Sequence, residues 1–292
     1  MAVDWARRVG TFVVAAPIAI YLLCSAAGTA VLATLIQTGC LLEFRLNVCP
    51  PILLHMAGRK PSGSAPWLHA ATLAALGALV AGAATIDKWT HDAVATGVYF
   101  AVFSMHLLFA KFLPEPTLHA GLLSLILDLV ALAYIVHGFG HAILVRQASA
   151  TYGQGLQIMT LATSWICDTG ALVAGSLFGS GKLLAAVSPG KTTAGGLGGI
   201  VFSVATVLGA SLLPEAYACL PPLPLAQQVV LGVAMGVACI AGDLVESYLK
   251  RVAQVKDSGV FFPGHGGCLD RMDSLLFVAP LMYYVLTFLE RA

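Results

Sequence analysis

The stretch KDSGVFFPGHGGCLDRMDS, residues 256–274, is the most polar part of a very apolar chain, and it follows closely on GDLVESYLKR, residues 242–251. On a helix, Asp243, Glu246 or Ser247, and Lys250 follow i, i+3/i+4, i+7 spacing, so they form one inward polar stripe with Leu244, Val245, Tyr248 and Leu249 on the other faces. Asp270 and Asp273 are three apart, which at the start of a last helix would put both carboxylates on one face. A charge deep in a bilayer costs about 2.5–3.5 kcal/mol, so three clustered acids need cations or a metal. Carboxylates with no protein cation buried between them are the ligand set of a hard divalent ion such as Mg2+. Lys250, Arg251, Lys256 and Arg271 stand around them, a density of positive charge suited to polyphosphate. Gly264, Gly266 and Gly267 allow the backbone to approach an anion closely. Together these residues point to phosphoryl or nucleotidyl transfer to a lipid. The plain alternative is a structural salt-bridge network.

Only 10% of residues are charged, 59% are hydrophobic and the mean hydropathy is +0.88, so the elements that position this chemistry belong to an all-α, polytopic membrane bundle. Arg7 and Arg8 precede an apolar run that continues to Leu42, which fits a retained anchor better than a cleaved signal peptide. Residues 10–42 are too long for one upright span, and with Gly28 near the middle they are expected to form a tight helical hairpin. Further runs at 67–86, 92–112, 118–145, 156–179, 195–213, 225–249 and 272–289 bring the expectation to about nine spans. With that topology 12 of the 15 Lys and Arg fall on one side and 3 on the other, so the positive-inside rule makes the first side cytosolic. The loops 180–194 and 250–270 both emerge there, and Pro61–Pro66 reads as a further loop. Residues 1–150 are expected to hold the hairpin and three spans, and residues 151–292 the catalytic region. No long hydrophilic leader precedes the first apolar run, which favours a bacterial-type or processed protein.

Other residues have plainer readings. The seven cysteines form no C-x-x-C pair and read as reduced packing residues. His137 and His141 are four apart, a metal-like spacing without an acidic or Cys partner nearby, and read as interfacial histidines. Gly179-Ser180-Gly181-Lys182 is not a P-loop, because Ser176 stands at the first glycine and Leu183 at the Ser/Thr. Asp128, inside a span, is expected to pair with a polar neighbour.

The pattern Ser247-x-Leu249-Lys250-Arg251-x4-Lys256-Asp257-x-Gly259-x2-Phe262-Pro263-x-His265-Gly266-Gly267-x2-Asp270-Arg271-Met272-Asp273 resembles the signature of phosphatidate cytidylyltransferases, also called CDP-diacylglycerol synthases. The likeness extends to Asp168-Thr169-Gly170-Ala171, Phe178-Gly179, Lys182-Leu183, Val187-Ser188-Pro189-x-Lys191-Thr192 and Gly195, and covers roughly residues 160–290. The first 150 residues match only in general character, including Glu43-Phe44. Four features depart from the family: Cys268 replaces an aliphatic residue, Thr193-Ala194 replace a segment with an acid, Leu172 replaces a Tyr, and Ser176 and Ser180 replace basic residues.

The resemblance implies that CTP and phosphatidate give CDP-diacylglycerol and pyrophosphate. It implies a catalytic set of Asp243, Asp270, Asp273, Lys250, Arg251 and Lys256, the three aspartates holding Mg2+, with a second cation such as K+. It implies substrate contacts from Asp168, Lys182, Ser188, Lys191, Thr192, His265, Gly266, Gly267 and Arg271, with His265 a turn-stabilising or phosphate-contacting residue. The site is expected on the cytosolic face of a multi-pass protein, open to water for CTP and sideways to membrane lipids for phosphatidate. By the same resemblance a homodimer through membrane spans is expected, and no nucleic acid is expected as a partner. Two other readings remain at this stage: a CTP-dependent polyprenol or phytol kinase, and an ion or solute transporter using intramembrane acids.

Overall fold

The computed structural model describes residues 13, 16–58, 66–110, 118–214, 219–262 and 266–289. Its helices are α1 (residues 16–23), α2 (Ala26–Glu43), α3 (Cys49–Ala57), α4 (Pro66–Ala84), α5 (Lys88–Ala110), α6 (Leu118–Ala131), α7 (His137–Gln147), α8 (Gly153–Phe178), α9 (Thr193–Ser211), α10 (Leu225–Ala253) and α11 (Leu275–Leu289). π-helical turns at Phe44–Val48 and Leu132–Val136 join α2 to α3 and α6 to α7, giving continuous elements Ala26–Ala57 and Leu118–Gln147. With α4, α5, α8, α9 and α10 these make seven segments, among the described residues, long and apolar enough to cross a membrane; α11 is a shorter apolar helix. The protein is a multi-pass, all-α membrane protein.

The helix is broken at Cys24–Ser25, three residues before Gly28. Ser25 caps α2, its hydroxyl accepting from Gly28 N at 2.9 Å. Gly28 has no side chain to obstruct the Leu22 carbonyl, which lies against its Cα. Much of the first arm, residues 1–12 and 14–15, lies outside the described residues, as do Arg7, Arg8 and most of the expected Pro61–Pro66 loop.

Pro50 and Pro51 explain the first π turn. They carry no N–H for the carbonyls of residues 46 and 47, and the wider turn re-registers the ladder, Cys49 N donating to the Phe44 carbonyl five residues back. Gly58, at φ 67°, then ends α3 in the left-handed conformation.

The chain forms two compact units: Met1–Ile143 with Leu249–Arg271, and Leu144–Tyr248 with Met272–Ala292. In the first, α2 packs on α4, α4 on α5, and α6 on both α5 and α3, around buried Leu41, Phe44, Ile52, Leu73 and Ile135. In the second, α8 packs along α9 and touches α11, around Leu156, Met159, Val207, Leu231, Met235, Val278 and Met282. Large apolar side chains such as Leu35, Phe100, Leu107, Leu122, Trp165, Leu197 and Val230 are exposed, which provides the surface that hydrocarbon covers. Trp67 and Trp89 sit exposed in the first turns of α4 and α5, as interfacial anchors do.

Two local expectations are corrected. The 180–194 loop contains an antiparallel hairpin, β1 (Lys182–Leu184) with β2 (Ser188–Thr192), in register Lys182↔Thr192 and Leu184↔Ser188. Asp270 and Asp273 do not share the first turns of α11. Asp270 lies in a single 3-10 turn, Leu269–Arg271, and Asp273 in the turn before α11 begins at Leu275.

Candidate active site

In the second unit, α8, α9, α10 and the hairpin enclose a cavity of about 410 Å3, within the range of small-molecule sites. Its polar lining is Asp168 and Ser176 from α8, Lys191 and Thr192 from β2, and Asp243 from α10. Each position has a local cause. The hydroxyl of Thr192 accepts from Gly195 N at 3.0 Å, so the residue that ends β2 also caps α9, and Lys191 is held beside it on the cavity wall. Lys191 Nζ pairs with Asp243 Oδ2, and Ser247 Oγ, one turn on, donates to Asp243 Oδ1 at 3.2 Å. Both partners of the ion pair keep about a quarter of their side-chain surface exposed, 26% and 25%.

The inward stripe on α10 is present, since Glu246 and Ser247 are buried while Tyr248 is 57% exposed. Gly242 is where α10 meets the turn before α11, because a Cβ there would run into the Asp273 carbonyl. Asp273 is itself buried, and its Oδ1 accepts from Ser274 N at 2.7 Å. Asp243 and Asp273 are thus set one residue to either side of, or at, a single backbone contact. Both offer hard oxygen donors, so their chemistry fits a magnesium ion.

The remaining candidates lie in the first unit. Lys250 Nζ donates to Asp270 Oδ1 at 2.6 Å, with 16% and 8% of the two side chains exposed. Asp270 Oδ2 accepts from Ser258 N at 3.0 Å, Ser258 Oγ at 3.1 Å and Gly267 N at 2.8 Å. Gly266, at φ 88°, returns its carbonyl to Phe262 N at 3.0 Å and so closes this loop. The N–H of Gly267 therefore faces Asp270 in this structure and not an outside anion. Arg251, Lys256 and Arg271 are exposed. Lys182 and Ser188 lie on the hairpin strands, outside the cavity lining. His265 lies outside the described residues.

Sequence reasoning missed Glu43. Its carboxylate, buried in the last turn of α2, accepts from Cys268 N at 2.6 Å, Leu269 N at 3.2 Å, Phe261 N at 3.2 Å and Ser258 Oγ at 3.3 Å. Asn47 Nδ2 adds a bond to the Ser258 carbonyl at 3.1 Å. The available signals were the acid itself, directly after the apolar run that ends at Leu42, and the likeness of Glu43-Phe44 to the family, which assigned it no role.

Among the described residues, the His, Cys, Asp and Glu set whose ligand atoms converge within 4.8 Å is His69, His106 and Asp128. Both imidazole Nε2 atoms meet the same oxygen, Asp128 Oδ2, at 2.6 and 2.7 Å, which is hydrogen-bond geometry. Arg45 Nη1 lies 3.5 Å from Asp128 Oδ1 and already supplies the counter-charge. The expected pairing of Asp128 with polar neighbours is present, and Arg45 is a buried residue of the bundle. His137 and His141 pack with His91, which contacts Asp92 at 2.9 Å. The seven cysteines form no disulfide.

Residues 6–289 match the cytidylyltransferase family. The chain belongs to that family. Among cytidylyltransferase relatives, it is 38% identical over 157 residues to the phosphatidate cytidylyltransferase of Bacillus subtilis, covering 54% of this chain and 56% of that protein. It is 42% identical over 133 residues to the phosphatidate cytidylyltransferase of Synechocystis, covering 45% and 43%. It is 40% identical over 124 residues to the Staphylococcus aureus enzyme of the same name, covering 42% and 45%. The aligned part of the chain spans about half the length of each of these relatives. Two of the family departures, Leu172 and Ser176, fall on the cavity wall.

Proposed function

We propose that this cytidylyltransferase acts on phosphatidate. A phosphate oxygen of the lipid attacks the α-phosphorus of CTP, the new P–O bond forms as the bond to the β-phosphate bridge breaks, and pyrophosphate leaves with that electron pair. The observation that carries the reading is the half-buried Lys191–Asp243 pair on the wall of a 410 Å3 cavity in a membrane-spanning member of this family. A triphosphate needs cations placed where its charge lies, and Lys191 can exchange Asp243 for a phosphate oxygen with little reorganisation. The lipid phosphate is itself the nucleophile, so positioning and electrostatics supply the rate and no Ser or Cys nucleophile is needed.

Asp243 and Asp273 would hold Mg2+, with Asp270 the third acid of the signature. When bound, the ion would neutralise triphosphate charge and that developing on the leaving group. Asp168 and Thr192 line the cavity and are proposed nucleotide contacts, and Lys250, Arg251, Lys256 and Arg271 are the cations proposed for phosphate contact. Lys182, Ser188, Gly266, Gly267 and His265 complete the proposed substrate set, K+ is a proposed second cation, and the active form is proposed to be a homodimer on the cytosolic side.

The test is to incubate purified protein with Mg2+, phosphatidate and CTP labelled at the α- or the γ-phosphate. Label from the α-position in a liponucleotide is expected. Lipid carrying the γ-label alone would instead indicate a kinase, and neither product would leave transport as the reading.

A further inference from the structure

We infer that Glu43 is a positioning residue for the 256–271 loop, fixing from α2 the shape in which Asp270, Lys250 and the exposed cations of that loop are presented. The inference rests on the cytidylyl-transfer reading for its functional half, and on hydrogen-bond geometry alone for its structural half.

The loop has little regular structure of its own. Between the end of α10 and the start of α11 its regular structure, among the described residues, is the single turn Leu269–Arg271 and one bridge, Phe262 with Gly266. Something else must fix its path. Three of its backbone N–H groups, on Phe261, Cys268 and Leu269, converge on the Glu43 carboxylate, and the Ser258 hydroxyl lies against the same group. A carboxylate in this setting offers acceptors in several directions at once, which no neutral side chain of its size matches.

The loop is also shaped to admit it. A Cβ at residue 259 would meet Oε1, Cδ and Cγ of Glu43, so glycine is required there by close approach to this one side chain. Ser258 lies between Glu43 of α2 and Asp270 of the loop, its hydroxyl 3.3 Å from Glu43 Oε2 and 3.1 Å from Asp270 Oδ2. Displacement of Glu43 is therefore felt at Asp270 through Ser258 and at Gly267 through its neighbour Cys268. Glu43 makes no contact with the reacting groups in this account; it acts through Asp270 and Lys250.

The experiment compares unaltered full-length protein with Glu43→Gln, which keeps the volume but turns an amide toward backbone donors. Two readouts are taken in detergent: hydrogen exchange at the amides of Phe261, Cys268 and Leu269, and kcat and KM for CTP with phosphatidate and Mg2+. Exchange at those three amides should rise at least tenfold with folded yield and melting retained. kcat should fall by about 100-fold, the scale of an ångström-level misplacement, while KM for CTP moves less than threefold. Gly259→Ala, which leaves the carboxylate intact but pushes it aside, should give the same split and serves if Glu43→Gln does not fold. Unchanged exchange overturns the anchor. Faster exchange with kcat within twofold, or a loss of kcat matched by a loss of folded protein, overturns the positioning role. If the unaltered protein transfers no cytidylyl group, the reading of its function fails, and the exchange of the three amides still decides the anchor.

Discussion

The cavity of the second unit and the loop of the first both hold a lysine–aspartate pair, yet the two pairs are built differently. Lys191 and Asp243 line the cavity with about a quarter of each exposed, and the Ser247 hydroxyl also donates to Asp243. Lys250 and Asp270 are largely buried, and the second oxygen of Asp270 takes two backbone N–H groups and a hydroxyl. An exposed pair costs little to separate, whereas breaking a buried one leaves a charge uncompensated. The same two residue types are thus suited to exchange with a ligand in one region and to holding the chain in the other.

Four substitutions test this contrast. Asp270→Asn should have the largest effect, lowering stability by about 3–5 kcal/mol because it removes the charge that Lys250 Nζ meets and turns an amide toward Ser258 N and Gly267 N; melting in detergent reads it, and an unshifted melt would end the distinction. Asp243→Asn should leave the melt nearly unchanged and reduce kcat by about 100-fold, the scale seen when one electrostatic stabiliser is removed; labelled-CTP turnover reads it. Gly242→Ala should cost about 1–3 kcal/mol, since its Cβ would overlap the Asp273 backbone and no side chain can move aside. Lys88→Gln, which removes an i,i+4 pair to the half-exposed Asp92, should cost under about 1 kcal/mol and leave turnover unchanged.

The fold was largely legible because hydrocarbon imposes long apolar helices, and the runs beginning near residues 67, 118, 156, 195 and 225 lie within a few residues of α4, α6, α8, α9 and α10. Helical spacing also found the buried side of α10. What was not legible depended on contacts far apart in sequence. Glu43 meets residues 258–269, more than two hundred positions away, and nothing local marks it as their acceptor. Asp270 and Asp273 were read at helical spacing, but backbone donors draw Asp270 into its own turn before α11 starts. The β1–β2 hairpin escaped because its strands are short and β2 carries Pro189 and Gly190. The break before α2 has a local cause that the apolar run alone did not mark, Ser25 capping the helix.

The Arg45–Asp128 pair bears on how the chain reaches its membrane. The two charges sit on segments separated by α4 and α5, and each is buried only once its partner is alongside. In a chain synthesised in order the arginine precedes its carboxylate partner by α4 and α5. A guanidinium inside the hydrocarbon would cost about 2.5–3.5 kcal/mol, so arrival of α6 would supply the counter-charge to the amino-terminal bundle.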